Sequence, residues 1–573
     1  MARFARNGNG RTLVTQQSVN AAVKSVCDIM RRSNCAGAMQ YVPELTWILF
    51  LRILDETEEQ AANEAAAVQE EFTPSLVAPF RWRDWAAPDG AKREELRNGA
   101  LGSLFGFVHG ELLPYLKGLR EPPGATPRQK VIAEVMSGVE RVRIDTEKNF
   151  LDVLDKVHEI SAQAIDKTHV FPLSQVYEGL LLRMGEKGND GGQFFTPREV
   201  IRAMVRAVEP QVGETVYDPA CGTGGFLAQS YEQMQAQPGL TSDEVGQLKH
   251  NTFFGKEKEN LVFPIALANL VLHGIDQPNL WHGNTLTGAA TYDGLFQGAP
   301  ALFDVVLTNP PFGGKEGKEA QTKFAFKTGA TQVLFLQHII GSLKEGGRCG
   351  IVIDEGVLFR TNERAFVDSK RKLLDECDLW CIVSLPAGVF LQAGGGVKTN
   401  LLFFTKGGPT EKIWYYDLSD VKVTKKTPLM LDKFDGFFAA LPERETGERS
   451  WTVDIAARRD AAAKEAAPLR SRATECEGQA RAEREQVKDL KSAPLVNGDE
   501  VSKLESEASA LEAQARELKA KAQGVEDAAF DLKAVNPNAR SDEDTRTPEE
   551  LLDLIEAKGR EVAEALAELR RLI

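Results

Sequence analysis

The sequence predicts an α/β protein in three parts. These are a helical N-terminal domain (residues 1–170), a doubly wound domain with a largely parallel sheet (171–455), and a helical hairpin followed by a final helix (456–573). Three observations carry that prediction. Apolar residues recur at helical spacing in the first part. Short strand-like runs alternate with amphipathic segments in the second, the pattern of βαβ units. Small and apolar residues alternate by three and four along the third, the seam of a coiled coil.

In the first part, MQYVPELTWILFLRILDETEEQ sets Trp47, Phe50, Leu51 and Leu54 on one helical face that gives way to an acidic run. ALGSLFGFVHGELLPYL and NFLDVLDKVHEI continue the pattern, separated by stretches such as EPPGATP. In the second part, ETVYDPA, TFFGKE, FDVVLTN, RCGIVID, LWCIVSLP and TNLLFFTK read as strands bounded by Gly, Pro, Asn or Asp. From about residue 408 to 455 the pattern weakens. In the third part, Val501, Leu504, Ala508, Leu511, Ala515, Leu518, Ala522 and Val525 form one seam. Leu469, Ala473, Cys476, Ala480, Val487 and Leu490 form a second, interrupted at Glu483. Pro494 and Asn497-Gly498 supply a turn between them, so an antiparallel hairpin is expected. Thr547-Pro548-Glu549-Glu550 reads as a capped start for a final helix, with Leu551, Ile555, Val562, Leu566 and Leu569 on one face.

Composition narrows the function. With 573 residues, 42% hydrophobic and 27% charged, the chain can bury several cores and is neither disordered nor fibrous. No apolar run reaches the ~18 residues of a membrane span. The opening MARFARNGNGRTLVTQQ has no apolar stretch of leader length, so a cytoplasmic protein is expected. The 7 cysteines are scattered, and Cys377 and Cys381, the one close pair, read as buried thiols rather than half of a zinc site. The 7 histidines show no metal-binding spacing, and no GxxxxGKS or GxxxxGKT loop is present, so neither a metal nor a translocating ATPase is expected. The net charge of −14 argues against a chain that wraps polyanions unaided. A local basic channel or a partner's charge would overcome that.

The chemistry concentrates in the second part. In VYDPACGTGGF a strand ends at Asp218, and Gly222, Thr223, Gly224 and Gly225 form a tight turn into a helix. At the end of the next strand, Glu257 of FGKE is placed to accept both ribose hydroxyls of an adenosine cofactor. Asn284, in WHGNTL, is placed to meet an adenine ring. In FDVVLTNPPF, Pro310 and Pro311 stiffen the backbone beyond a buried strand and set the directions of the Asn309 side chain and the Pro310 carbonyl. Two acceptors so held suit an aromatic amine: they take its two N–H hydrogens and turn the nitrogen lone pair toward an electrophile. Phe312 offers a flat face for an extruded base. Lys315, Lys318, Lys323 and Lys327 follow as a basic cluster suited to phosphate.

DPACGTGGF, NPPF, the segment GQFFTPR (192–198) and GVF followed by TNLLFF together resemble the methylation subunit of type I restriction–modification systems, which are adenine-N6 DNA methyltransferases. The likeness covers nearly the whole chain. It implies a Rossmann-like domain dependent on S-adenosylmethionine, flanked by helical domains. It implies that Gln193, Phe194, Phe195, Thr196, Pro197 and Arg198 close over the methionine part of the cofactor, with Thr196 also able to N-cap a helix begun by Pro197 and closed by Glu199. Asp218 and the Gly222–Gly225 turn would hold the methionine amino and carboxylate groups, Glu257 the ribose, and Asn309, Pro310, Pro311 and Phe312 the flipped adenine. Asn284 stands where the family often has Asp, though an Asn can still accept from the cofactor's adenine. The implied partners are double-stranded DNA, a DNA-specificity subunit, a second copy of the chain and a restriction (translocase/nuclease) subunit. An amine or amide methyltransferase acting on RNA or protein, and a structural subunit that only binds cofactor, are the rival readings.

Overall fold

The computed structural model describes residues 16–33, 35, 38–160, 196–287, 294–390, 397–424, 427–492, 497–533, 535–538, 552–562 and 567. The regular structure of the first part is helical throughout these residues, with no strand among them. Trp47, Phe50, Leu51 and Leu54 are all buried, as their spacing predicts, on the helix Ala38–Ala67. Trp47 stacks on Trp85 at 6.5 Å, and Trp82 meets Trp85 edge-on at 5.8 Å, so one aromatic cluster knits the helices together. The helical run beyond Ser103 contains a π-helical turn, Val108–Leu112, just ahead of Pro114, which has no N–H to continue the α-helical ladder.

The helix Pro127–Met136 packs against the helix Phe263–Leu272 of the second part. There Arg128 joins Asp276 and, at 3.5 Å, Glu58, so one guanidinium ties the two parts together.

The second part contains one nine-stranded sheet in the order β3-β2-β1-β4-β5-β7-β6-β8-β9. The strands are β1 (Val216–Asp218), β2 (Phe253–Glu257), β3 (Asn279–His282), β4 (Phe303–Thr308) and β5 (Leu343–Asp354). They continue as β6 (Cys377–Ser384), β7 (Thr399–Lys406), β8 (Lys412–Asp417) and β9 (Ser450–Asp454). The first five in this order are parallel, with helices covering both faces. All six predicted strand runs form.

The sheet is less parallel than the sequence suggests. β7 enters antiparallel between β5 and β6, because LPAGVFLQAGGGVK between β6 and β7 contains no helix-forming stretch to carry the chain across the sheet. β8 and β9 lie in the region of weak pattern, and extend the sheet by pairing with each other antiparallel. All 7 cysteines are free thiols, and Cys377 and Cys381 are buried in β6.

The hairpin is two long helices, Ile455–Ser492 and Gly498–Ala528. Ala466, Ala473, Ala480 and Val487 on one, and Val501, Ala508, Ala515 and Ala522 on the other, are buried at every seventh position, so small side chains let the backbones approach closely. Arg484–Glu512 at 3.1 Å and Lys491–Glu505 at 2.6 Å flank the seam. Being exposed to solvent, such pairs contribute little to stability.

At the foot of the hairpin the chain returns to the sheet. Phe530 and Leu532 are buried, Leu532 N–H donates to the Leu358 carbonyl at 3.1 Å, and the Tyr415 hydroxyl donates to the Leu532 carbonyl at 3.4 Å. The expected cap at Thr547–Glu550 lies outside the described residues, as do Leu551, Leu566 and Leu569. Residues 552–562 are helical, with Leu552, Ile555 and Val562 exposed. No helix among the described residues is long and apolar enough to cross a membrane.

Candidate active site

Parallel strands end at one edge of the sheet, and the tips of β1, β2, β3 and β4 converge there. β1 lies between β2 and β4, with Asp218 opposite Gly255 and Val216 opposite Val305. This register sets Asp218, Glu257 and Asn309 side by side at the edge.

The turn after Asp218 has Gly222 at φ +54° and Gly224 at φ +82°, left-handed conformations that cost glycine nothing. A Cβ at Gly225, where the helix Gly225–Gln235 begins, would meet Ile201 at 2.7 Å, whereas among the described residues no atom outside the turn's own neighbours stands within 4 Å of a Cβ placed at Gly222. The turn therefore packs tightly behind and presents bare backbone in front. The buried Asn269 amide donates to the Thr223 carbonyl at 2.9 Å and holds the loop from below.

Asp218 is fully buried. Burial pushes its carboxyl up to about 7; the Thr308 hydroxyl and the Ala220 N–H favour the charged form, and the neighbouring Glu257 opposes it. Glu257 accepts from Gly222 N–H at 2.9 Å and Glu259 N–H at 2.8 Å. Its carboxyl too is raised by burial, against those backbone donors. Two carboxylates are thus held in low dielectric beside the glycine turn, an arrangement that gains most from a ligand bringing a positive charge and hydroxyl donors.

Asn284 follows β3, and its side-chain oxygen accepts from Leu286 N–H at 2.9 Å, closing a local turn. Nearby the Thr285 hydroxyl donates to the Pro219 carbonyl at 2.5 Å, tying this loop to the β1 tip.

Asn309 and Pro310 follow β4 directly. The Asn309 Nδ2 donates to the Thr196 hydroxyl at 2.9 Å. This corrects the expected role of Thr196. The helix starts one residue later, at Arg198, with Pro197 as its cap and no side-chain capping bond. The Pro197 carbonyl accepts from Val200 and Ile201 N–H, while Glu199 pairs with Arg202 at 3.3 Å instead of closing a capping box. With no capping bond to make, the Thr196 hydroxyl accepts from the asparagine amide instead.

Pro310 is buried, Pro311 exposed, and Phe312 is half-buried with its ring 5.5 Å from that of Phe390, edge-on. Gln193, Phe194 and Phe195 lie outside the described residues. Lys315, Lys318, Lys323 and Lys327 are all exposed on a loop closed at its base by pairing of Lys315 with Ala330.

Two supporting residues escape the sequence reading. Gln332, only 3% exposed, reaches the Pro310 carbonyl at 3.4 Å and accepts from Asp354 N–H at 3.0 Å, linking the tips of β4 and β5. Asn269 is the other. Neither belongs to a short motif; each is recognisable only once the helix carrying it is docked under the strand tips.

Comparison with known proteins accords with this geometry. The family model described as N-6 DNA Methylase matches residues 168–460, and that of the HsdM N-terminal domain matches residues 19–105. The EcoEI type I restriction enzyme methylase subunit of Escherichia coli is 35% identical over 460 residues, 76% of this chain and 87% of that protein. The EcoKI methylase subunit of Escherichia coli strain K12 is 30% identical over 462 residues, 76% of this chain and 79% of that protein. Among solved structures, a modification subunit from Vibrio vulnificus YJ016, assigned to a type I restriction enzyme, superposes with a TM-score of 0.69 at 34% identity, covering 78% of this chain and 94% of its own. A chain from a study of type I restriction–modification assembly and conformational transition gives a TM-score of 0.60 at 34% identity, covering 97% of this chain and 98% of its own.

Proposed function

The chain belongs to the N-6 DNA methylase family, among the methylase subunits of type I restriction enzymes, and from that premise we propose that it methylates N6 of a flipped adenine in double-stranded DNA, using S-adenosylmethionine. The observation that carries the site assignment is the pairing of β1 with β4, which sets the Asp218 turn beside Asn309 while Thr196 orients the asparagine amide.

The residues fit the cofactor. Asp218 would accept from the methionine ammonium, the backbone of the Gly222–Gly225 turn would face its carboxylate, Glu257 would turn to the ribose hydroxyls, and Asn284 to the adenine. Arg198 and the segment from Gln193 to Pro197 would close over the methionine. When bound, S-adenosylmethionine supplies a methyl group on a sulfonium, an electrophile without a metal.

The chain's own task is positioning. Thr196 on Nδ2 fixes the asparagine so that Oδ1 is the end turned away from it. Oδ1 and the Pro310 carbonyl then accept the two N–H bonds of the adenine amine, aiming the nitrogen lone pair at the methyl carbon. Phe312, braced by Phe390, stacks on the flipped base, with Pro311 keeping the turn stiff. The exposed lysines at 315, 318 and 327 would meet DNA phosphates.

A chain of net charge −14 acts on DNA with help. The proposed assembly is with a DNA-specificity subunit and a second copy of this chain, in the cytoplasm, with a restriction subunit as a further partner. The exposed Leu552, Ile555 and Val562 suit a helical contact with the specificity subunit.

The test is methylation by the purified complex, read as N6-methyladenine by mass spectrometry, against the chain alone. The complex is expected to methylate at defined sites and the chain alone to bind cofactor only. Methylation of RNA or protein but not DNA, or cofactor binding without turnover in the complex, would count against this reading.

A further inference from the structure

Lys256 is the charged residue of FGKE that the site above leaves unused. Successive side chains on a strand point to opposite faces, so Lys256 leaves β2 on the face opposite Glu257. It is 6% exposed, and its ammonium opens into a cavity of about 290 Å³ between the sheet, the helix Thr331–Ser342 and the loop after Phe312.

A buried ammonium has three N–H bonds to satisfy. Lys370 shows how this chain does so elsewhere: 1% exposed, it donates to the carbonyls of Leu358 at 2.7 Å and Arg360 at 2.8 Å. Lys256 has no such oxygen among the described residues. Its neighbours are the faces of Trp281, at 5.2 Å, and Phe296, at 5.4 Å.

The cavity adds a second cation, Lys323, and no Asp or Glu among its described lining residues. Burial and the charge of Lys323 together push the Lys256 ammonium down to about 8. His338 does not compensate: burial holds its imidazole neutral, pushed down to about 3, with its Nε2 3.1 Å from the Tyr217 hydroxyl. The rest of the described lining includes four aromatic rings, Tyr217, Phe296, Phe303 and Phe324, beside Leu286, Pro300 and Ala301. Two cations with no carboxylate among the described lining residues, set beside aromatic rings, call for an anion with a flat apolar body.

We propose that this cavity binds a small aromatic anion, a planar ring carrying a phosphate or a carboxylate, with Lys256 and Lys323 on the anionic group and Phe296 and Phe324 on the ring. This goes beyond the methylation reading and does not rest on it, since the site stands on the other face of β2 from Glu257.

The test is calorimetry on the full chain with uridine monophosphate, uridine and benzoate, each with and without saturating S-adenosylhomocysteine. Binding of uridine monophosphate or benzoate is expected, the first naming phosphate and the second carboxylate as the group held. Uridine, without a charge, should bind at least ~10-fold more weakly than its monophosphate, and Lys256→Met and Lys323→Ala should each weaken the bound anion by about 10-fold. Saturating S-adenosylhomocysteine should leave these affinities unchanged. Should Lys256→Met fail to fold, Lys323→Ala, at an exposed position, decides alone. Absence of binding by both anions, unaltered affinity in the variants, or displacement by S-adenosylhomocysteine would overturn the proposal. The cofactor's own binding, measured in the same experiment, reports separately on the methylation reading.

Discussion

The two halves of the sheet do different work with the same backbone. From β3 to β5 the strands are parallel, so four strand tips meet at one edge and carry Glu257, Asn284, Asp218 and Asn309. From β7 to β9 the strands mostly alternate in direction and their tips are divided between both edges. That half is built from Trp414, Tyr415, Phe403 and Trp451, all buried, and it anchors the hairpin through Phe530 and Leu532. Parallel strands gather chemistry at one edge, while the alternating half supplies a platform.

If the division is real, damage to the platform and damage to the site should separate. Phe530→Ala removes a ring lodged 4.9 Å from the Arg371 guanidinium and should cost about 3–5 kcal/mol of stability, read as a lowered melting temperature, with S-adenosylmethionine affinity little changed below the transition. Loss of cofactor binding at temperatures where the variant is folded would break the comparison.

Within the site, Asn309→Ala should lower methylation by about 100-fold in the assembled complex while cofactor affinity holds, because one of two preorganised acceptors is gone. Near-normal turnover would remove Asn309 from the chemistry. Glu257→Ala should weaken S-adenosylmethionine by about 2 kcal/mol, the scale of charge-assisted hydrogen bonds, and unchanged calorimetry would transfer the ribose to another residue.

Asp218 sharpens the comparison through pH. Its folded carboxyl titrates at about 7, above its ordinary range, so folding takes up a proton between about pH 4 and 7 and the protein loses stability as pH rises through that window. A bound ammonium needs the charged form. Cofactor affinity should therefore rise by about tenfold from pH 6 to pH 8, and a flat profile would show that Asp218 does not hold the ammonium. The smallest effect belongs to Thr196→Val, which deprives the Asn309 amide of its acceptor and should lower kcat by about fivefold, with KM for the cofactor unchanged.

Much of the site was legible because its motifs are local. The glycine turn and NPPF state their backbone geometry in consecutive residues, and strands as apolar as FDVVLT declare themselves. What stayed hidden depends on partners distant in sequence. KIWYYD, charged at both ends, becomes β8 because β6 and β9 flank it, and SWTVD follows as β9. Thr196 looked like a helix cap since TPRE fits that pattern, but only the position of β4 reveals the asparagine it serves. Gln332 and Asn269 carry no signal of their own. The hairpin seam is legible in the sequence because a heptad repeat is periodic over many turns and needs no long-range partner to declare itself.

The small residues at every seventh position have a mechanical consequence. Backbones in close contact slide and splay little, so the hairpin behaves as a rod. At about 1.5 Å per residue its shorter helix, Gly498–Ala528, extends about 46 Å from the foot at Leu532. A rod of that length magnifies rotation: a tilt of about 5° at the foot, where Tyr415 grips the returning chain, carries the tip about 4 Å, slightly more than the ~3.4 Å rise of one base pair. Repacking of a few side chains around Tyr415 and Phe530 is thereby converted into displacement on the scale of a DNA step.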